Sequence, residues 1–110
     1  GDGGDAGRAL ELFRQAQDLF ETLGYDFGLQ AALGNEGRAL IQAGRPGDAL
    51  GPLTTQERIC RAAPFRQSLV ECLNLRGSAF QSMGRHHEAA SCWDEARRLV
   101  DELRLAPSRS

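Results

Sequence analysis

The chain has 110 residues, 41% hydrophobic and 25% charged, the make-up of one ordinary globular domain and too short for a large multidomain enzyme. No stretch approaches 18 uninterrupted apolar residues, so no transmembrane helix is expected, and the opening Gly1-Asp2-Gly3-Gly4-Asp5 lacks the basic and apolar regions of a signal peptide. The net charge is −2 and all 13 basic residues are Arg, a poor basis for tracking phosphates or anionic lipid, so neither nucleic acid nor a membrane surface is an expected partner.

Glycine and proline punctuate the chain at Gly24 with Gly28, at Gly44 to Gly47, at Pro64, at Gly84 and at Pro107. In the first stretch Ala9, Leu10, Phe13, Ala16, Leu19, Phe20 and Leu23 follow the i, i+3, i+4, i+7 spacing of a helix face. Leu29, Leu33, Gly37, Leu40 and Ala43 do so next, and Ala89, Trp93, Ala96, Leu99, Val100 and Leu103 close the chain in the same way. No segment alternates with period two. The spacing predicts an all-α chain with helices over about 5–23, 27–43, 46–62, 66–83 and 86–104. Gly51-Pro52 falls inside the third. With Asp48 as N-cap and Ala49 already at a packing position, a kink at Pro52 is expected rather than a late start.

Cys60, Cys72 and Cys92 are too few and too scattered for a disulfide framework, and no C-x-x-C pair offers a zinc site. Three reduced, buried thiols are expected, which points to a reducing, cytoplasmic setting. His86 and His87 point about 100° apart on a helix and do not share a metal easily. No metal and no cofactor is expected.

Shifting the sequence by 40 brings Gly4, Gly44 and Gly84 together, and likewise Ala9, Ala49 and Ala89. Phe13, Leu53 and Trp93 coincide, as do Leu19, Ile59 and Leu99. Leu33 matches Leu73, Gly37 matches Gly77, Ala39 matches Ala79 and Leu40 matches Phe80. Each unit reads as two antiparallel helices: an A helix with Leu-x3-Gly-x2-Leu/Phe, a glycine turn, then a B helix with Ala-x3-Phe/Leu/Trp. The chain divides into a lone B helix at 5–23, repeats at 27–62 and 66–104, and a tail at 105–110, all within one domain.

The run Leu73-x3-Gly77-x2-Phe80-x3-Gly84-x4-Ala89-x3-Trp93-x2-Ala96 resembles the tetratricopeptide repeat, and Leu33 to Leu53 repeats it. The length of 40, against the usual 34, is similar to the longer repeats of spindle-orientation scaffolds and bacterial signalling regulators. Two features depart from the pattern. Glu36 and Arg76 stand where an apolar residue is usual before the A-helix glycine, and Gln56 stands where Ala is usual. The resemblance implies an antiparallel helical-hairpin solenoid of about two and a half repeats that binds a peptide or partner helix on its concave face. The concave positions it implies are Ala31, Asn35, Arg38 and Gln42 in one repeat, and Glu71, Asn74, Leu75, Ser78 and Gln81 in the next. Asn and Gln offer a peptide backbone both a donor and an acceptor, and Arg38 can fork onto a carboxylate. A chaperone-type carboxylate clamp also uses Lys, which this chain lacks; Asn35 and Arg38 supply a fragment of it.

No phosphate loop, nucleophile elbow or zinc-protease motif is present, so an enzyme is not expected. The alternative to a groove binder is a structural spacer or self-association module. The apolar residues of helix 5–23 cover more than one stripe. They predict a piece of a longer array and a homodimer through that helix, with Leu12 and Phe20 in the contact. Three further expectations follow: Phe13 and Trp93 buried at equivalent positions, Gly37 and Gly77 as close-packing glycines, and a salt bridge between Glu36 and Arg76.

Overall fold

The computed structural model describes residues 2–105. Five helices follow one another: α1 Asp2–Leu23, α2 Asp26–Gln42, α3 Pro46–Ala62, α4 Arg66–Ser82 and α5 His86–Leu105. No strand occurs among the described residues. Consecutive helices pack on each other, and α2 also touches α4. The chain is therefore a row of helical hairpins, with α2 and α4 as A helices and α1, α3 and α5 as B helices. No helix among the described residues is long and apolar enough to cross a membrane. The tail expected at 105–110 lies outside the described residues, save Leu105, which closes α5.

Three joints use a glycine with positive φ, Gly24 at 67°, Gly44 at 77° and Gly84 at 77°. A side chain there would strain the backbone, and each glycine stops a helix. Gly28 is different. It sits in the first turn of α2, where a Cβ would meet the Tyr25 ring at 2.7 Å and the Phe20 ring at 2.9 Å. It is a packing glycine, not part of the joint.

α3 starts where expected, but its cap is not the expected Asp48. Arg45 is the N-cap and Pro46 takes the first helical turn, where its fixed φ suits the helix. Asp48 lies inside that turn and accepts a hydrogen bond from Arg45 Nε at 2.8 Å. Arg85 and Glu88 repeat the arrangement at the start of α5, and the bond from Arg85 holds the Glu88 carboxyl below its ordinary pKa. α3 then runs without interruption through Pro52.

The interior consists of three apolar clusters, one reaching from α1 to α4 and two joining α3, α4 and α5 at different levels. Leu10, Leu40, Ala49, Leu53 and Cys72 form the first. Cys60, Leu69, Leu73 and Ala96 form the second, and Phe80, Ala89 and Cys92 the third. Gly37 and Gly77 are close-approach positions as expected. A Cβ at 37 would meet Leu53 at 2.6 Å, and one at 77 would collide with the Trp93 indole. The equal burial expected for the repeat aromatics fails. Leu53 is 0% exposed, Phe13 is half-buried and Trp93 is 39% exposed. The B-helix position is covered by its own A helix on one side and by the next A helix on the other. Among the described residues α1 has no A helix before it and α5 none after it.

The expected Glu36–Arg76 bridge is not formed. Glu36 accepts from Gln17 Nε2 at 2.8 Å and from Arg14 Nε at 3.2 Å on α1. Arg76 donates to Glu57 on α3. Both A-helix residues reach back to the preceding B helix rather than sideways to each other. Glu57 also pairs with Arg61 at 2.8 Å, and Arg61 continues to Glu95 at 2.8 Å, linking α4, α3 and α5 by charge.

Candidate peptide-binding cleft

A cleft of about 550 Å³ lies between α2 and α4. α2 contributes Phe27, Gln30, Ala31, Gly34, Asn35 and Arg38, and α4 contributes Arg66, Gln67, Ser68, Glu71 and Leu75. Pro64 and Phe65 close one end, and Gln56 of α3 joins the lining from beneath. The Phe27 and Phe65 rings meet edge to face at 5.2 Å, an apolar contact at the mouth. Arg38 donates to Asn35 Oδ1 at 3.3 Å, a long, exposed bond that leaves most of the guanidinium free.

Of the concave positions expected from sequence, Ala31, Asn35, Arg38, Glu71 and Leu75 line this cleft. Gln42, Asn74, Ser78 and Gln81 do not, although all four are exposed. Gln42, Ser78 and Gln81 lie in the later halves of their helices, past the cleft. Gln81 Oε1 is taken up by His86 Nδ1 at 2.7 Å. The lining carries Arg38 and Arg66 against Glu71, so no single sign of charge dominates it.

Beneath the cleft lies a polar pair that the helical spacing alone does not flag. Gln56 Nε2 donates to Gln30 Oε1 at 3.0 Å, and Cys60 Sγ lies 3.5 Å from the same oxygen. Gln56 is 3% exposed, and its Oε1 has no hydrogen-bond partner. Gly34 makes room for it, since a Cβ there would lie 2.6 Å from Gln56 Nε2. The replacement of the repeat's usual Ala by Gln56 is the sequence signal for this pair. Gln30, Phe27 and Phe65 had none.

The thiols are buried and unpaired. Burial, with a smaller push from Glu71, raises Cys60 to about 11, and burial raises Cys72 to about 12. Cys92 is also raised, mainly by burial. Thiols so placed are poor nucleophiles. No group of three His, Cys, Asp or Glu positioned for a metal ion occurs among the described residues.

The two self-association candidates on α1 are placed differently. Leu12 is 59% exposed, and Leu19 and Leu23 are exposed beside it. Phe20 is half-buried and meets Tyr25 edge-on at 5.5 Å, so its ring belongs to the α1–α2 joint. Compared with family models, with curated proteins and with solved structures, the chain gives no match.

Proposed function

We propose that the chain is a protein-interaction module of tetratricopeptide-repeat type, part of a larger scaffold or regulator, that holds a peptide segment in the α2–α4 cleft. The observation that carries this reading is the convergence of Asn35, Arg38 and Glu71 from two A helices on one concave cleft with a Phe27–Phe65 wall. Its volume falls within the range of roughly 300–1,000 Å³ usual for ligand sites. Asn35 and Gln67 supply paired donors and acceptors for a peptide backbone, Arg38 supplies a fork for a carboxylate, and the rings take an apolar side chain. In this reading the chain binds and does not catalyse, and its unpaired thiols suit a reducing compartment such as the cytoplasm.

Selection from a random peptide library, read against an Arg38→Glu variant, tests the proposal. Arg38 is exposed, so the variant keeps its fold. Peptides that bind the parent and lose at least about tenfold in affinity on Arg38→Glu support the cleft, the size expected for removing a charged hydrogen-bond partner. Peptides indifferent to Arg38 and to Asn35→Ala place binding elsewhere.

A second reading, self-association, rests on the exposed row Leu12, Leu19 and Leu23. Light scattering decides it: a dimer that Leu12→Glu converts to a folded monomer supports association through α1, and a monomer at high concentration rejects it.

A further inference from the structure

The repeat places B-helix positions against the following A helix in two copies, at three positions on α3 and at the first and last of these on α1. On α3, Leu50 packs on the cluster that contains Phe80 of α4. The Leu53 carbonyl accepts from Cys72 Sγ at 3.1 Å, and Glu57 accepts from Arg76. On α1, Leu10 clusters with Leu40 of α2, and Gln17 donates to Glu36. Each covering helix thus carries a small residue, Ala32 or Cys72, and four positions later a polar group that matches position 17 or 57. The pairing is reversed between the copies: a carboxylate meets Gln17, a guanidinium meets Glu57.

The corresponding residues of α5 are Ala90, Trp93 and Arg97. All three are exposed, Trp93 by 39%, and the Arg97 side chain by 75%. The ion partner Arg97 has is Asp94 on its own helix at 3.3 Å, a weak exposed pair. This face lies at the end of the row, separate from the α2–α4 cleft.

We infer that the outer face of α5, built on Ala90, Trp93 and Arg97, docks an amphipathic helix that brings a small residue against Trp93 and, four positions later, a carboxylate to Arg97. The charge is what distinguishes this occupant from the helix that covers α3. A guanidinium in that place, correct for Glu57, would face Arg97 and repel it.

The chain contains both test sequences. A capped peptide of residues 26–42 carries Ala32 and Glu36, and one of residues 66–82 carries Cys72 and Arg76. Neither contains tryptophan, and Trp93 is the protein's single tryptophan, so its emission reports docking at this face. Titration of the intact protein with the 26–42 peptide should shift Trp93 emission to the blue, and the 66–82 peptide, kept reduced, should bind about fivefold more weakly, the most that one exposed pair supplies. Arg97→Glu, a change at an exposed site, should reverse the order of the two peptides. Absence of any shift with the 26–42 peptide overturns the inference. So does binding whose order is the same with Arg97 and with Arg97→Glu.

Discussion

Arg76 and Glu57 meet across the α3–α4 contact at the two positions where Glu36 and Gln17 meet one repeat earlier. The site is the same and its polarity is reversed. Both Arg76 and Glu57 are about four-fifths buried, so each desolvated charge depends on the other, and Arg76 stacks on Phe80 as well. In both repeats this position carries a polar residue matched to the neighbouring B helix.

The pairing predicts a double-mutant result. Arg76→Glu sets two carboxylates together and should cost about 1–3 kcal/mol. Adding Glu57→Gln rebuilds the Gln17–Glu36 type of contact and should recover at least about half of that loss. Thermal unfolding followed by circular dichroism measures both, at about 4–8 °C per kcal/mol for a domain near this size. Equal losses in the single and double variants would mean that the two residues are not coupled.

The two packing glycines should respond unequally. Alanine favours a helix by about 1 kcal/mol over glycine, which opposes any clash. At Gly37 the added Cβ meets Leu53, which is fully buried and cannot withdraw. Gly37→Ala should therefore lower stability by a net of about 1–2 kcal/mol. At Gly77 the neighbour is Trp93, partly in solvent and free to swing out. Gly77→Ala should be close to neutral. A larger drop in melting temperature for Gly77→Ala than for Gly37→Ala would reverse the assignment of the rigid and yielding contacts.

Alkaline pH should loosen the fold through the thiols. Burial holds Cys60 at about 11 and Cys72 at about 12, above an ordinary value of 9.0. Between these limits the unfolded chain has lost protons that the folded chain keeps, so unfolding becomes easier as pH rises. The stabilisation is complete below pH 9 and is lost as pH climbs through 11 to 12. Urea unfolding at pH 8 and pH 10.5 should show the decline, and Cys60→Ala with Cys72→Ala should flatten the part of it that belongs to these groups. Native thiols should also react with an alkylating reagent at pH 8 far more slowly than the same thiols in urea.

The helices were legible from the sequence to within a few residues because three glycine stops, Pro64 and a period of 40 mark the boundaries, and α3 runs over the predicted 46–62. Contacts were harder to read. Glu36 and Arg76 occupy one site in two repeats, and equivalence by translation means that they point the same way, each to the B helix before it. Trp93 was expected to be buried and is 39% exposed, because its depth depends on a neighbouring helix and not on its own position; that it packs over Gly77 was not read from the sequence. In the cleft, Asn35 and Arg38 were among the positions that the repeat resemblance implied, and both line it. The Gln30–Gln56 pair was not implied, because it joins residues from different helices and its fit turns on the missing side chain of Gly34.

The molecule measures 50 × 38 × 19 Å, and the short dimension is about two helix diameters. In such a slab no side chain lies far from water. The apolar interior is divided into three clusters instead of merging into one. A globule gains burial per residue as it grows, because its volume outruns its surface. A row of hairpins gains nothing of the kind: each added unit brings its own share of surface with its own share of interior. Cohesion in this chain is therefore a local quantity, renewed at every helix contact, and a defect such as a mismatched charge at the α3–α4 step weakens one link without drawing on the reserves of the others.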